Sequence, residues 1–227
     1  MPAAEPILPA PAWRAALGRR VGRVVVPAAY RCVVRGVERV PGHGPLVLVA
    51  NHSGLLDGPL VMSVTPRPVT FLVKQELFHG FVGSVLRGVG QIPIDRTTGD
   101  RHALAAARAV LAHGGVVGVF PEGTRGRGDV QQVNQGAAWL ALQTGARIVP
   151  VCVLGTRVPD RSADALPRLR SRVVIDFGEP FELESDRAVP GRARLAAATD
   201  LLRDRLAGQV AAASLRDGVR SQAEPQG

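Results

Sequence analysis

Cysteine, lysine and aromatic side chains are all scarce in this chain, and each scarcity excludes a class of structure or function. Its two cysteines, Cys32 and Cys152, lie in separate apolar extended runs with no Cys-x-x-Cys or Cys/His ligand spacing around them. Neither a disulfide framework nor a metal site is expected, and both should be buried, reduced thiols. Aromatic residues make up only 4% of the chain, the arginines are scattered and no recognised nucleic-acid-binding motif is present, so no nucleic-acid partner is expected. Lys74 is the sole lysine while arginines run throughout, a bias that coding preference can produce, so arginine number alone argues for nothing. Long hydrophobic runs are missing as well: no stretch approaches the roughly 20 apolar residues needed to span a bilayer. Residues Met1 to Pro11 lack the charged-then-apolar order of a secretory signal, so the expected location is peripheral, on the cytoplasmic face of the cell membrane.

What is present is apolar matter enough for one sizeable domain: 227 residues, 46% of them hydrophobic. Three parts are expected: an amphipathic membrane-associating segment over 1–30, the main domain over 31–215 and a flexible polar tail over 216–227. The formal net charge of +9 and pI near 11.3 favour an anionic partner, such as a phospholipid surface or a phosphorylated substrate. Trp13, Leu17, Val21, Val24 and Ala28 fall on one face at helical spacing, with Arg19 and Arg23 elsewhere and Arg14 and Arg20 flanking the stripe. Such a helix either lies in an anionic headgroup layer or packs on the domain with its arginines solvated.

From Arg31 onward short β-rich runs alternate with helical ones, the pattern of an α/β fold. Strands are expected over Arg31 to Val40, Leu46 to Ala50, Val69 to Val73, Gln91 to Ile94, Val116 to Phe120, Ile148 to Leu154 and Arg172 to Phe177. Helices are expected over Gly58 to Val64, Phe78 to Arg87, Arg101 to His113, Gly136 to Thr144 and Arg192 to Ser214. Asp100 can cap the third of these and Gly114 can end it. The expected architecture is a single α/β domain, a mixed and largely buried sheet flanked by helices, preceded by the short amphipathic helix.

Leu46 to Ala50 ends abruptly in Asn51-His52-Ser53-Gly54-Leu55-Leu56-Asp57, where a buried strand opens into a loop. An imidazole bound through one ring nitrogen to a carboxylate is oriented to take a proton from a hydroxyl. Equally, Asp57 before Gly58-Pro59 can be a helix N-cap and His52 a polar loop residue. Two further strand ends carry charge: Gly90-Gln91-Ile92-Pro93-Ile94-Asp95-Arg96 and Phe120-Pro121-Glu122-Gly123-Thr124-Arg125. Two guanidiniums at strand ends can clamp one phosphate through bidentate bonds. Each can also be an ion pair, Arg96 with Asp95 or Asp100 and Arg125 with Glu122.

In order along the chain, these blocks resemble the four motifs of the glycerolipid acyltransferases of the 1-acylglycerol-3-phosphate type. His52 to Asp57 matches the family's His-x-x-x-x-Asp in its Asn-His form; Gly90 to Arg96, Phe120 to Arg125 and Ile148-Val149-Pro150-Val151 match the other three. Lys74-Gln75-Glu76-Leu77-Phe78 resembles the usual lead-in to the second, and the likeness covers roughly residues 31 to 180. Departures fall at Gly126, where a serine is common, at Val133-Asn134-Gln135-Gly136, and at Gly80 in place of a proline.

The resemblance implies that His52 takes the acceptor's proton, Asp57 sets its tautomer, and Arg96 and Arg125 hold the acceptor phosphate, with Glu122, Gly123 and Thr124 completing the substrate-binding loop. It leaves the oxyanion to backbone N–H groups of the Asn51 to Gly54 or Gly123 region, and puts Pro150 at the floor of the site. The implied reaction moves an acyl group from acyl-CoA or acyl-carrier protein, a co-substrate with no bound cofactor or metal, to the hydroxyl of a lysophospholipid. Glycerol 3-phosphate, a lyso-ornithine lipid or a glycolipid are the alternative acceptors. A hydrolase is the rival chemistry, but no Gly-x-Ser-x-Gly elbow is present.

Overall fold

The computed structural model describes residues 11–95, 100–123, 130–158, 160–162, 164–184 and 190–218. Strand formation follows the β-branched runs: β1 (Arg31–Arg35), β2 (Leu46–Ala50), β3 (Val69–Lys74), β4 (Ile92–Ile94), β5 (Val116–Val119), β6 (Arg147–Leu154) and β7 (Arg172–Phe177). They form one mixed sheet in the order β1-β7-β6-β2-β5-β3-β4. Neighbours are parallel except β6 and β7, which run antiparallel and so reverse the β1/β7 pair relative to the rest.

Alternation along β2 sorts its side chains to two cores, as a pleated strand buried on both faces must. Val47 and Val49 join Ala103, Ala107, Leu111, Leu140 and Leu202 on one face, beneath α4 (Arg101–Ala112), α5 (Gly136–Thr144) and α6 (Gly191–Asp217). Leu46, Leu48 and Ala50 join Val26, Leu60, Val61 and Ile175 on the other, beneath α1 (Ala12–Ala29) and α2 (Asp57–Val64). Each fully buried Leu or Val contributes on the order of 1.5–3 kcal/mol by leaving water.

Three expected elements differ in extent by more than one residue. The first strand stops at Arg35 rather than Val40, because Gly36 turns in the left-handed region (φ +65°) into a 3₁₀ turn at Val37–Arg39. The helix expected from Phe78 is divided, an extended His79 (φ −104°, ψ 154°) separating a 3₁₀ turn at Gln75–Phe78 from α3 (Gly80–Gly88). The last helix runs three residues beyond Ser214, through Asp217, into the segment expected to be a flexible tail; residues 219–227 lie outside the described residues. Asp100 caps α4 as expected, accepting from the N–H groups of His102 and Ala103 at 3.0 Å each.

The reason α6 reaches Asp217 is electrostatic. The carboxylate has a side-chain exposure of 1% and bridges Arg35 on β1 and Arg172 on β7, pinning the helix end to the reversed strands. The Arg35 hydrogen bond holds the Asp217 carboxyl below its ordinary range against the opposing effect of burial, with Arg172 adding to the depression. A depressed folded-state pKa stabilises the fold above the unfolded value of about 3.9, and that contribution disappears as pH falls through the lower folded value.

Asp217→Asn should therefore lower the melting temperature at neutral pH and flatten the wild-type loss of stability below about pH 4. Thermal melts followed by circular dichroism across that range check it; identical pH profiles would remove the clamp from the account.

Candidate active site

The C-terminal ends of the adjacent parallel strands β2, β5 and β6 place three loops together, the position where open α/β sheets build sites. Asn51 extends β2 by a side-chain clasp on β6: its Nδ2 donates to Val153 O at 3.0 Å and its Oδ1 accepts from Val153 N at 2.7 Å. The chain then curls so that His52, Ser53 and Gly54 surround Asp57. Asp57 Oδ2 accepts from His52 Nδ1 at 2.9 Å, Ser53 N at 2.7 Å and Gly54 N at 2.9 Å. Its Oδ1 accepts from Thr156 Oγ1 at 2.6 Å, and Thr156 in turn lies 3.1 Å from Ser53 Oγ.

Asp57 is fully buried and is the first residue of α2, yet it makes no cap bond to that helix. Its carboxylate reaches back to the preceding loop, which decides between the two readings of the spacing in favour of the imidazole partner. Donors on both oxygens offset the cost of burying a charged group.

His52 is itself 7% exposed, and with Nδ1 committed to Asp57 its Nε2 has no hydrogen bond among the described residues. The imidazole is stacked on Phe120 with centroids 4.1 Å apart, and Phe120 stacks on Phe71 at 5.3 Å. Gly118 makes that stack possible, because a Cβ there would stand 2.3 Å from the Phe71 ring. Gln91 then fixes Phe71, accepting from its backbone N–H at 2.8 Å. The second and third blocks thus support the first from beneath: a neutral imidazole, oriented by a carboxylate and held flat on an aromatic ring, can act as a general base.

Glu122 comes to the same place, where its Oε1 accepts from the backbone N–H of His52 at 2.7 Å, and Gly123 follows it in the loop. Arg96, Thr124 and Arg125 lie outside the described residues. Four of the amides in the stretches expected to hold an oxyanion are already donated: His52 N to Glu122, Ser53 N and Gly54 N to Asp57, and Gly123 N to Phe120 O. Pro150 also corrects an expectation. It sits within β6 opposite Val49, with its ring against Gly178, a packing position away from the loop rather than the floor of the site.

Thr156 is the residue that sequence reading missed. It follows Gly155 just past the end of β6, five residues beyond the fourth motif, and a strand-end Gly-Thr beside β2 was the available signal. Its contact is close: a Cβ on Gly54 would lie 2.8 Å from the Thr156 carbonyl oxygen, so only glycine fits there. No cluster of His, Cys, Asp and Glu suited to a metal ion occurs among the described residues.

Comparison with known proteins puts this geometry in context. The Acyltransferase family profile matches residues 31–154, more than half of the chain. The 1-acyl-sn-glycerol-3-phosphate acyltransferase of Bacillus subtilis is 29% identical over 171 residues, covering 74% of this chain and 83% of that protein. The protein of the same name from Borreliella burgdorferi is 32% identical over 57% of this chain and 53% of its own length. The human alpha form is 37% identical over 53% of this chain and 44% of its own length, so the chain spans about half of these two relatives. The crystal structure of the 1-acyl-sn-glycerophosphate acyltransferase from Thermotoga maritima shares the fold, with a TM-score of 0.57 at 24% identity over 86% of this chain and 78% of that one.

Thr156→Val keeps the side-chain shape and removes the hydroxyl that bonds Asp57. Hydrogen bonds to charged groups contribute about 1.5–3 kcal/mol, so turnover should fall about 10- to 100-fold in a protein that still melts cooperatively. Wild-type turnover in that variant would make Thr156 a packing residue only.

Proposed function

Because the chain belongs to the Acyltransferase family, we propose that this enzyme acylates the free hydroxyl of a lysophospholipid, 1-acylglycerol 3-phosphate first among them, giving phosphatidate. The observation that carries the reading is the buried His52–Asp57 pair with Nε2 left for a substrate. His52 Nε2 takes the proton of the acceptor hydroxyl as its oxygen attacks the thioester carbonyl. Collapse of the tetrahedral intermediate breaks the carbon–sulfur bond, and the imidazolium returns the proton to the leaving thiolate. Asp57 holds the productive tautomer and stabilises the imidazolium, while Thr156, Glu122 and Phe120 keep the pair in place. In this proposal Arg96 and Arg125 bind the acceptor phosphate, with Gly123 and Thr124 as further substrate-binding residues. The donor is an acyl thioester, of CoA or of a carrier protein.

The lipid acceptor calls for a membrane-facing surface, and the helix faces suggest where it lies. No helix among the described residues is long and apolar enough to cross a membrane. Helix α1 packs on α2 through its small face: a Cβ on Gly22 would stand 2.9 Å from Ser63 Cβ, and Ala15 and Val26 are buried. The expected stripe points away from the domain, with Trp13, Leu17, Val21 and Val24 exposed. Beside it, Val89 at the end of α3 meets Gly18, and α3 exposes Phe81, Val82 and Val85. Apolar residues flanked by arginines suit shallow insertion into an anionic headgroup layer, a peripheral association on the cytoplasmic face.

Folded His52→Ala should lose at least about 10²- to 10⁴-fold in turnover, the usual worth of general-base help. With a panel of labelled acceptors, Arg96→Ala or Arg125→Ala should weaken use of lysophosphatidate about 10- to 100-fold, Arg125→Lys should fall between, and an uncharged lyso-glycolipid should respond far less. Equal use of lysophosphatidate by both alanine variants, or a clear preference for another acceptor, would overturn the phosphate assignment. On anionic vesicles, Trp13→Ser combined with Phe81→Ser should weaken co-sedimentation by about tenfold or more, since each large apolar side chain contributes roughly 1.5–3 kcal/mol on burial. Unchanged binding would place the lipid surface elsewhere.

A further inference from the structure

Away from the His52–Asp57 pair the structure holds a cleft of about 530 Å³ on the opposite face of the sheet from α1, between α4, α5 and the start of α6. Leu104, Trp139 and Leu195 form its apolar lining, Gln135 stands at one side, and Arg101 and Arg108 stand two helical turns apart on the same face of α4. Its volume is in the range of small-molecule sites. We propose that this cleft holds the nucleotide end of the CoA thioester donor, the arginines gripping its phosphates and Trp139 stacking on its adenine ring. The inference rests on the acyl-transfer reading above and names the donor site that this reading leaves open.

Three observations favour that occupant. Neither arginine has an acidic partner among the described residues, so their charge is available to an anion. A half-buried indole beside paired guanidiniums is the combination that stacks a base and binds its phosphates. Finally, the cleft is tied to the catalytic loops. Glu122 bonds the His52 backbone, Asn134 N donates to Pro121 O at 2.7 Å, and the next residues, Gln135 and Gly136, line the cleft. A long molecule anchored here can extend its thioester along that path, while a lipid acceptor arrives from the apolar α1/α3 face. The two substrates then enter from opposite sides of the sheet.

The chain has two tryptophans, so in a Trp13→Phe background Trp139 alone reports on the cleft. Free CoA should quench its emission saturably, and Arg101→Ala and Arg108→Ala should each raise the CoA Kd about tenfold or more and the KM for acyl-CoA in parallel. 3′-Dephospho-CoA should bind more weakly than CoA, and 4′-phosphopantetheine should be indifferent to the arginine changes. No saturable quenching, or an unchanged Kd in both variants, overturns the cleft assignment; lysophosphatidate acylation persisting in those same variants would show that the acyl-transfer reading survives it. Arginine variants impaired only with an acylated carrier protein, and not with CoA, would also overturn it by giving the surface to the carrier. CoA quenching in a protein that acylates no acceptor would instead uphold the cleft and sink the reaction.

Discussion

The buried carboxylate of Asp57 is the constraint on which the site and much of the surrounding fold depend. An ionised group with no exposure is costly unless its oxygens are bonded, and here backbone donors from Ser53 and Gly54, the His52 ring and the Thr156 hydroxyl meet that need. Meeting it forces the loop to curl over the start of α2 and requires a glycine at 54 where the Thr156 backbone presses in. It also requires β6 to lie beside β2, because only then does residue 156 fall within reach of residue 57. The same bonds that make burial tolerable fix the ring orientation of His52, so folding and chemistry share one set of interactions.

A second set acts on the ring from below. Gly118 vacates space for Phe71, Phe71 supports Phe120, and Phe120 supports the imidazole, so packing in the core defines the plane of the base. Glu122 restrains the His52 backbone from the neighbouring strand end. Motifs far apart in the chain are therefore parts of one scaffold, and a side chain such as Glu122 can belong to a substrate-binding loop while its own bond is to the base.

The sheet separates two environments. Its α1/α2 face presents exposed apolar side chains beside α3, and its α4/α5/α6 face presents an arginine-rimmed cleft. The reversed β1/β7 pair closes the far edge, where Asp217 joins α6 to both strands through Arg35 and Arg172. That clamp carries the chain in helical form past the point where composition alone reads as tail.

Local pattern was enough to locate β2, β7 and α5 at their observed bounds, to cap α4 at Asp100, and to single out His52 with Asp57, because periodicity, capping and short spacings are properties of neighbouring residues. It left open whether Asp57 serves the helix or the imidazole, since both need a carboxylate at the same place in the chain. It overextended β1 and merged two helical turns around His79, where apolar pattern continues but the backbone turns. Strand order, the reversal at β6–β7, Thr156 on Asp57, Glu122 on His52 and the phenylalanine stack were decided only in three dimensions. The side-chain contacts among these join residues tens of positions apart, up to 99 between Thr156 and Asp57, and only the packing of one strand beside another brings their atoms together.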